Sequence, residues 1–181
     1  MFVLSPEKIG DFSHHWSSVI GMPAISRVPS GRRLNDFFRI VVDEVDARRG
    51  LINKFQGDAA LAVFGAPLRT ADPASAALAT ARALGAELPR LRVDFGIGVS
   101  AGPVFAGNIG AENRYEYTVV GDAVNEAARL ADRAKDFDGR VLCSGAALDR
   151  ADAVERRWWS SFGSEVLRGR SQHTHISAPV R

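Results

Sequence analysis

The stretch Leu51-Ile-Asn-Lys-Phe-Gln-Gly-Asp-Ala-Ala-Leu-Ala-Val-Phe-Gly65 decides the fold of this chain. Two apolar runs flank the break Gln56-Gly57-Asp58, and a short Gly-containing break between such runs predicts a β-hairpin. The hairpin would hold the carboxylate of Asp58 at its tip and the ammonium group of Lys54 shortly before it. A carboxylate in that place can bind a divalent metal ion, although an Asp beside a Gly is equally ordinary turn chemistry.

A second segment, residues 113–130, begins as an aromatic and β-branched strand and continues as a helix that Asp122 is expected to cap. Asn125 and Arg129 are four residues apart, so both project from one helical face. A guanidinium fork matches phosphate oxygens, and an amide can donate a hydrogen bond to a developing oxyanion. The pair therefore suits an anionic transition state, while an exposed Asn and Arg on a solvated helix face would show the same spacing.

Together the two segments resemble the catalytic domain of class III nucleotidyl cyclases, the adenylate and guanylate cyclase family. The resemblance extends from about Leu34 to the C-terminus. Lys54 and Asp58 are similar to that family's purine-reading Lys and its second metal-binding Asp. Asn125 and Arg129 match its transition-state residues and their spacing.

Two weaker matches complete the resemblance. Thr118, seven residues before Asn125, falls where the family places its second purine contact, and Arg168 in Val166-Leu-Arg-Gly looks like the basic residue that meets the triphosphate. Guanine readers of the family usually carry an acidic residue at the Lys54 position. The resemblance therefore implies conversion of ATP to 3′,5′-cyclic AMP and pyrophosphate, with Mg²⁺ or Mn²⁺ as the cofactor.

The resemblance also implies a partner chain, because cyclase sites form at a head-to-tail dimer interface. The metal and purine residues come from one subunit, and the Asn and Arg come from the other. We therefore expect a homodimer, or a heterodimer with an intact cyclase. A catalytically inactive module that binds nucleotide or pairs with an intact cyclase is the alternative function.

Composition narrows the class of protein. The chain has 181 residues and a net charge of +2, and its basic residues are scattered, so no stripe for nucleic-acid binding is expected. Cys143 is the single cysteine and cannot form an internal disulfide, which fits a reducing, cytoplasmic compartment. We interpret it as a small buried apolar residue. No apolar run approaches the ~20 residues needed to span a bilayer.

The remaining pattern predicts an α+β, ferredoxin-like domain with helices packed on a mixed, mostly antiparallel sheet. Helices are expected at 32–48, from Asp72 to about 85, at 121–135 and near 146–150. Further strands are expected at 93–101, 104–109, 115–120, near 141, and as a pair after about residue 159. Gly102-Pro103 is interpreted as a turn, and Gly107–Gly110 as a loop between strands rather than a phosphate cradle.

The N-terminal segment departs from the family pattern. The first metal-binding Asp should end an opening strand about 44 residues before the second, and that count from Asp58 reaches His14. Asp11 is three residues out of register, and an imidazole of His14 or His15 is a poor ligand for Mg²⁺. Residues 1–31 are therefore left unassigned and 32–181 form the cyclase-like domain, with the opening strand and the first metal ligand expected to be missing.

Overall fold

The computed structural model describes residues 13–22, 31–56, 59–111 and 114–180. The strands in this part of the chain are β1 (Ser13–Met22), β2 (Leu51–Gln56), β3 (Ala59–Phe64), β4 (Ile97–Ala111), β5 (Arg114–Val120), β6 (Val141–Ser144), β7 (Trp159–Val166) and β8 (His173–Pro179). The helices are α1 (Gly31–Asp46), α2 (Pro73–Glu87), α3 (Asp122–Ala134), α4 (Gly145–Arg150) and α5 (Ala153–Arg156). No helix of the described residues is long and apolar enough to cross a bilayer.

The described strands form one sheet in the order β2-β3-β1-β4-β6-β8-β7, and β5 pairs with the outer half of β4. β4 and β6 run parallel, and the other pairs are antiparallel. The first six elements run β1-α1-β2-β3-α2-β4 and place their strands in the order β2-β3-β1-β4. This arrangement confirms the predicted ferredoxin-like α+β class.

Two apolar layers cover opposite faces of the sheet. One contains Ile20, Phe64 and the inner sides of α1 and α2. The other contains Val19, Val63 and the inner side of α3. Neighbours along each strand therefore alternate between the layers, as a half-buried strand requires. The α3 layer is the one that positions the candidate site.

The expectation that the opening strand is missing is wrong. β1 lies between β3 and β4 in the centre of the sheet, with Val19 opposite Val63 and Ser100. Its sequence Ser-His-His-Trp-Ser-Ser-Val-Ile-Gly-Met shows little apolar alternation, because serines 17 and 18 are buried where apolar residues are usual. Pairing on both edges, rather than local pattern, makes this segment a strand.

Two other expectations about local structure are also wrong. Gly102-Pro103 is not a turn, since β4 runs through it and Pro103 pairs with Trp16 of β1. On its other edge, β4 pairs with β6 up to Val99 and with β5 from Phe105 onward, and no described strand pairs with the stretch between, so that stretch tolerates a proline. Gly107–Gly110 is likewise part of β4 and pairs with β5.

Three local expectations are confirmed: the cap of α2, the β2–β3 hairpin and the burial of Cys143. The Asp72 side chain accepts a hydrogen bond from Ser75 N at the start of α2, with Pro73 in the first turn. The hairpin strands β2 and β3 have the predicted bounds to within a residue. Cys143 is fully buried in β6, and burial raises the pKa of its thiol above the ordinary range.

Candidate functional site

Lys54 reaches the α3 face of the sheet because of a β-bulge. Ile52 lies opposite Ala62 and Lys54 lies opposite Leu61, so Asn53 is an extra residue without a partner on β3. Regular alternation would place Ile52 and Lys54 on the same face, and the inserted residue reverses this for Lys54. Lys54 therefore shares a face with Leu61, which packs in the α3 layer.

The bulged residue also ties the hairpin to β5. Asn53 Nδ2 donates a hydrogen bond of 2.8 Å to the carbonyl oxygen of Tyr117, while Asn53 Oδ1 is buried and has no hydrogen-bond partner within the described part of the chain. Thr118 follows Tyr117 and is partly buried. Its neighbour Val119 faces the α3 layer, so strand alternation places Thr118 on the opposite face of β5. The bond brings β2 and β5 together, but the side chains of Lys54 and Thr118 lie on different faces.

Helix α3 approaches the sheet closely because two strand positions carry no side chain. A Cβ on Gly98 would lie 2.1 Å from the Ala127 carbonyl oxygen, and a Cβ on Gly21 would lie 3.0 Å from the Ala127 carbonyl carbon. Glycine at both positions lets the helix backbone rest on β4 and β1. This contact fixes the height of Asn125 and Arg129 above the sheet, and both side chains are exposed.

Lys54 and Asn125 line one pocket between the hairpin and α3. Its volume is about 370 Å³, and Asp132 is the carboxylate among its described lining residues. Its floor is formed by the ends of β1 and β3 and by Val119. The structure therefore brings the predicted purine-reading cation and the predicted transition-state amide of the same chain to a common opening, which differs from the expectation that these two residues come from different subunits.

Arg129 and Arg168 line a second pocket, of about 530 Å³, on the other side of Asp132. Arg129 lies 3.9 Å from the Asp132 carboxylate, an exposed and weak pair. Arg168 is exposed in the turn after β7, where Gly169 has a φ of +77°. Arg133 and three carboxylates, Asp132, Asp136 and Glu165, line the same pocket, so its charges are balanced and the phosphate roles of Arg129 and Arg168 stay predictions.

Sequence reasoning missed a polar group in the first turns of α3. Arg170 forks onto Asp122 at 2.7 and 2.8 Å and lies 3.3 Å from Glu126 Oε1. The hydrogen bond from Arg170 to Asp122 is the main reason that the pKa of Arg170 is raised. Asp122 therefore does not cap α3: Gly121 occupies the cap position, and Asp122 is the first helical residue. The signal available in the sequence was a second arginine, Arg170, two residues after Arg168.

The described residues do not fit a two-metal centre. They contain no group of three His, Cys, Asp or Glu side chains placed to hold an ion. β1 carries no carboxylate between Ser13 and Met22, and Asp11 and Asp58 lie outside the described residues. Met22 pairs with Ala60 beside the hairpin turn, whereas His14 is eight residues away, or about 26 Å along the strand. The count that pointed to His14 therefore selected the wrong end of β1.

Comparison with known protein families identifies one family for this chain. The family model for the adenylate and guanylate cyclase catalytic domain matches residues 16–175. The uncharacterized protein Rv1320c of Mycobacterium tuberculosis is 52% identical over 152 residues, which cover 82% of this chain and 26% of that protein. The chain thus spans about a quarter of the length of this relative.

Solved structures agree on the fold. The adenylyl cyclase CyaB from P. aeruginosa superposes with a TM-score of 0.78 at 21% identity, covering 94% of this chain and 96% of that one. The guanylyl cyclase Cya2 superposes with a TM-score of 0.72 at 23% identity, covering 92% of each chain. An adenylyl cyclase and a guanylyl cyclase share this architecture, so the fold alone does not determine the choice of base.

Proposed function

Because this chain belongs to the adenylate and guanylate cyclase catalytic domain family, we propose that it converts ATP to 3′,5′-cyclic AMP and pyrophosphate. The ribose 3′-oxygen would form a bond to the α-phosphorus as the bond to the pyrophosphate oxygen breaks and the hydroxyl proton leaves. One observation carries the proposal: the bulge at Asn53 turns Lys54 onto the α3 face, where it shares a pocket with Asn125.

Base recognition is assigned to Lys54, with Thr118 as the proposed second contact, although strand alternation places the Thr118 side chain on the other face of β5. A lysine ammonium group donates hydrogen bonds and accepts none. It suits N1 of adenine, which accepts, and opposes N1–H of guanine, which donates. Thr118 would meet the amino-bearing edge of the ring, with its strand held to β2 by the bond from Asn53 to Tyr117. Lys54 is the reason for proposing ATP rather than GTP.

Stabilisation of the reaction's charge is assigned to α3 and to the turn after β7. Asn125 would donate a hydrogen bond at the reacting phosphate, and Arg129 would offset the charge that develops on it. Arg168 would contact the departing pyrophosphate oxygens. Arg129 and Arg168 line one pocket, which supports assigning both to the same phosphate chain.

Members of this family use Mg²⁺ or Mn²⁺, and Asp58 remains the proposed ligand. When bound, such an ion would supply positive charge to the triphosphate. The described residues do not fit a two-metal centre. The proposed roles therefore do not depend on a bound ion; they concern Lys54, Asn125, Arg129 and Arg168.

A second candidate function follows from the sequence of β1. The strand occupies the centre of the sheet but carries no acidic residue from Ser13 to Met22. A chain without this acidic residue would pair with an intact cyclase and contribute Asn125 and Arg129 to the shared active site. Dimer formation is proposed in both cases, as a homodimer for the first function and a heterodimer for the second.

Cyclic AMP production from ATP and Mn²⁺ by the purified chain tests the first function. Turnover that is lost in Asn125→Ala and retained in Asp43→Asn supports it, because Asp43 is an exposed residue of α1 on the other face of the sheet. The second function predicts that the chain alone produces no cyclic AMP. Mixing it with a cyclase that is intact except for its transition-state Asn should then restore cyclic AMP production. A folded chain that is inactive in both assays and binds no ATP contradicts both functions.

A further inference from the structure

Glu126 is a buried carboxylate in the middle of α3, next to Asn125 in sequence. It is 8% exposed, and three donors surround it. Ser100 of β4 donates to Oε2 at 2.6 Å, Thr174 of β8 donates to Oε1 at 2.8 Å, and Arg170 lies 3.3 Å from Oε1. A buried carboxylate is stable only with such compensation, so this group holds α3 against both β4 and β8.

Arg170 connects that carboxylate to the turn that carries Arg168. Its side chain is only 15% exposed, and it forks onto Asp122 in the first turn of α3 as well as approaching Glu126. A guanidinium bound to two carboxylates one helical turn apart is fixed in direction as well as position. The turn from Leu167 to Gln172 is thereby attached to α3 at two points.

We propose that Arg170 and Glu126 are positioning residues that set the spacing between Arg129 on α3 and Arg168 on the β7–β8 turn. The proposal rests on the phosphate roles proposed above for those two arginines. Neither Arg170 nor Glu126 lines the pocket that Arg129 and Arg168 share, so both act through the backbone segments that they join. The ligand that depends on this spacing is a polyphosphate chain.

The consequence of losing the connection follows from its geometry. Without Arg170, the β7–β8 turn keeps its strand pairing from Val166 to His173 and the packing of Leu167 against α3, but it loses the ionic contacts that fix the residues after Arg168 to the first turns of α3. Arg168 would then sample positions away from Arg129, and the two cations would no longer address one phosphate chain together. A displacement of about 1 Å at a reacting group can cost on the order of 100-fold in rate.

The test measures two quantities for wild type, Arg170→Ala and Arg170→Lys: inorganic pyrophosphate affinity by calorimetry, and kcat and KM for ATP. We expect Arg170→Ala to weaken pyrophosphate binding about 10-fold and to lower kcat by about 10- to 100-fold. KM should change less than kcat, because the lost contact matters most in the transition state. The kcat and the pyrophosphate affinity of Arg170→Lys should lie between those of the wild type and Arg170→Ala, because lysine keeps the charge but cannot form the two parallel hydrogen bonds of a guanidinium group.

Arg82→Ala is the matched control. Arg82 forms an equally short fork with Glu155, at 2.8 and 2.7 Å, but joins α2 to α5 away from both pockets. It should lower the melting temperature without changing kcat or pyrophosphate affinity. If Arg170→Ala does not fold, Glu126→Gln removes the charge of the same contact with little change of shape and should act in the same direction.

The outcomes separate this inference from the proposed function. If the wild-type chain makes no cyclic nucleotide, the cyclase activity is contradicted. If Arg170→Ala nevertheless binds pyrophosphate more weakly than the wild type, the positioning role is supported. Folded Arg170→Ala and Glu126→Gln variants with wild-type pyrophosphate affinity overturn the positioning role, whatever the turnover. An equal loss of affinity in Arg82→Ala also overturns it, because the effect would then be one of general stability.

Discussion

Adding one methyl group at Gly98 should lift α3 from the sheet. The new Cβ would lie 2.1 Å from the Ala127 carbonyl oxygen and 2.4 Å from Ala131 N, and both are backbone atoms that no side-chain rotation can move. Non-bonded contacts need roughly 3.5 Å, so the helix must retreat by about 1–1.5 Å. Overpacking of this kind costs ~1–3 kcal/mol of unfolding free energy. With a urea m-value of ~2 kcal/mol/M, the midpoint should fall by about 0.5–1.5 M.

The same displacement moves Asn125 and Arg129, so a Gly98→Ala chain that still folds should lose about 100-fold in cyclic AMP production. Urea unfolding followed by circular dichroism gives the stability, and turnover is measured well below the midpoint. Gly139→Ala is the control, because a Cβ there meets nothing within 4 Å. A Gly98→Ala chain with the stability and turnover of Gly139→Ala would refute the view that close backbone contact sets the helix position.

Three further predictions concern side chains. Lys54→Glu should shift the ratio of ATP to GTP affinity toward GTP by about 10-fold, because it replaces a donor by an acceptor; an unchanged ratio in competition binding would remove Lys54 from base choice. Asn53→Ala should lower the unfolding free energy by ~1 kcal/mol through loss of its bond to Tyr117, and wild-type stability in urea would contradict this. Burial raises the pKa of the Cys143 thiol, so the folded chain keeps that proton to higher pH than the unfolded chain. The contribution of Cys143 to the free energy of unfolding should therefore be constant below the unfolded pKa of ~8.5 and decline above it by up to ~1.4 kcal/mol per pH unit, and Cys143→Ala should lack this decline in urea titrations.

The elements that sequence predicted correctly are those whose cause is local. The β2–β3 hairpin follows from a Gly-containing break between two apolar runs, and α2 follows from the Asp72 cap and Pro73. Periodicity placed Asn125 and Arg129 on one exposed face of α3, and the structure agrees. In these cases the residues that determine the structure lie within a few positions of it.

The features that sequence did not predict depend on distant partners. β1 is a strand because β3 and β4 pair with its two edges, although buried serines hide its pattern. β4 continues through Pro103 because one of its edges is locally unpaired, which depends on where β5 and β6 pair. The network around Glu126 joins residues 26 to 48 positions apart, and no local spacing announces it.

The bulge at Asn53 makes β2 tolerant of a one-residue deletion at that point. Ile52 lies opposite Ala62 and Lys54 lies opposite Leu61, so removing Asn53 would make the two residues neighbours in a regular ladder without moving either side chain to the other face. The deletion would instead remove the bond from Asn53 to Tyr117 that ties the hairpin to β5. Homologous strands should therefore keep the lysine on the α3 face with or without the extra residue, as long as the pairing of Lys54 with Leu61 is kept.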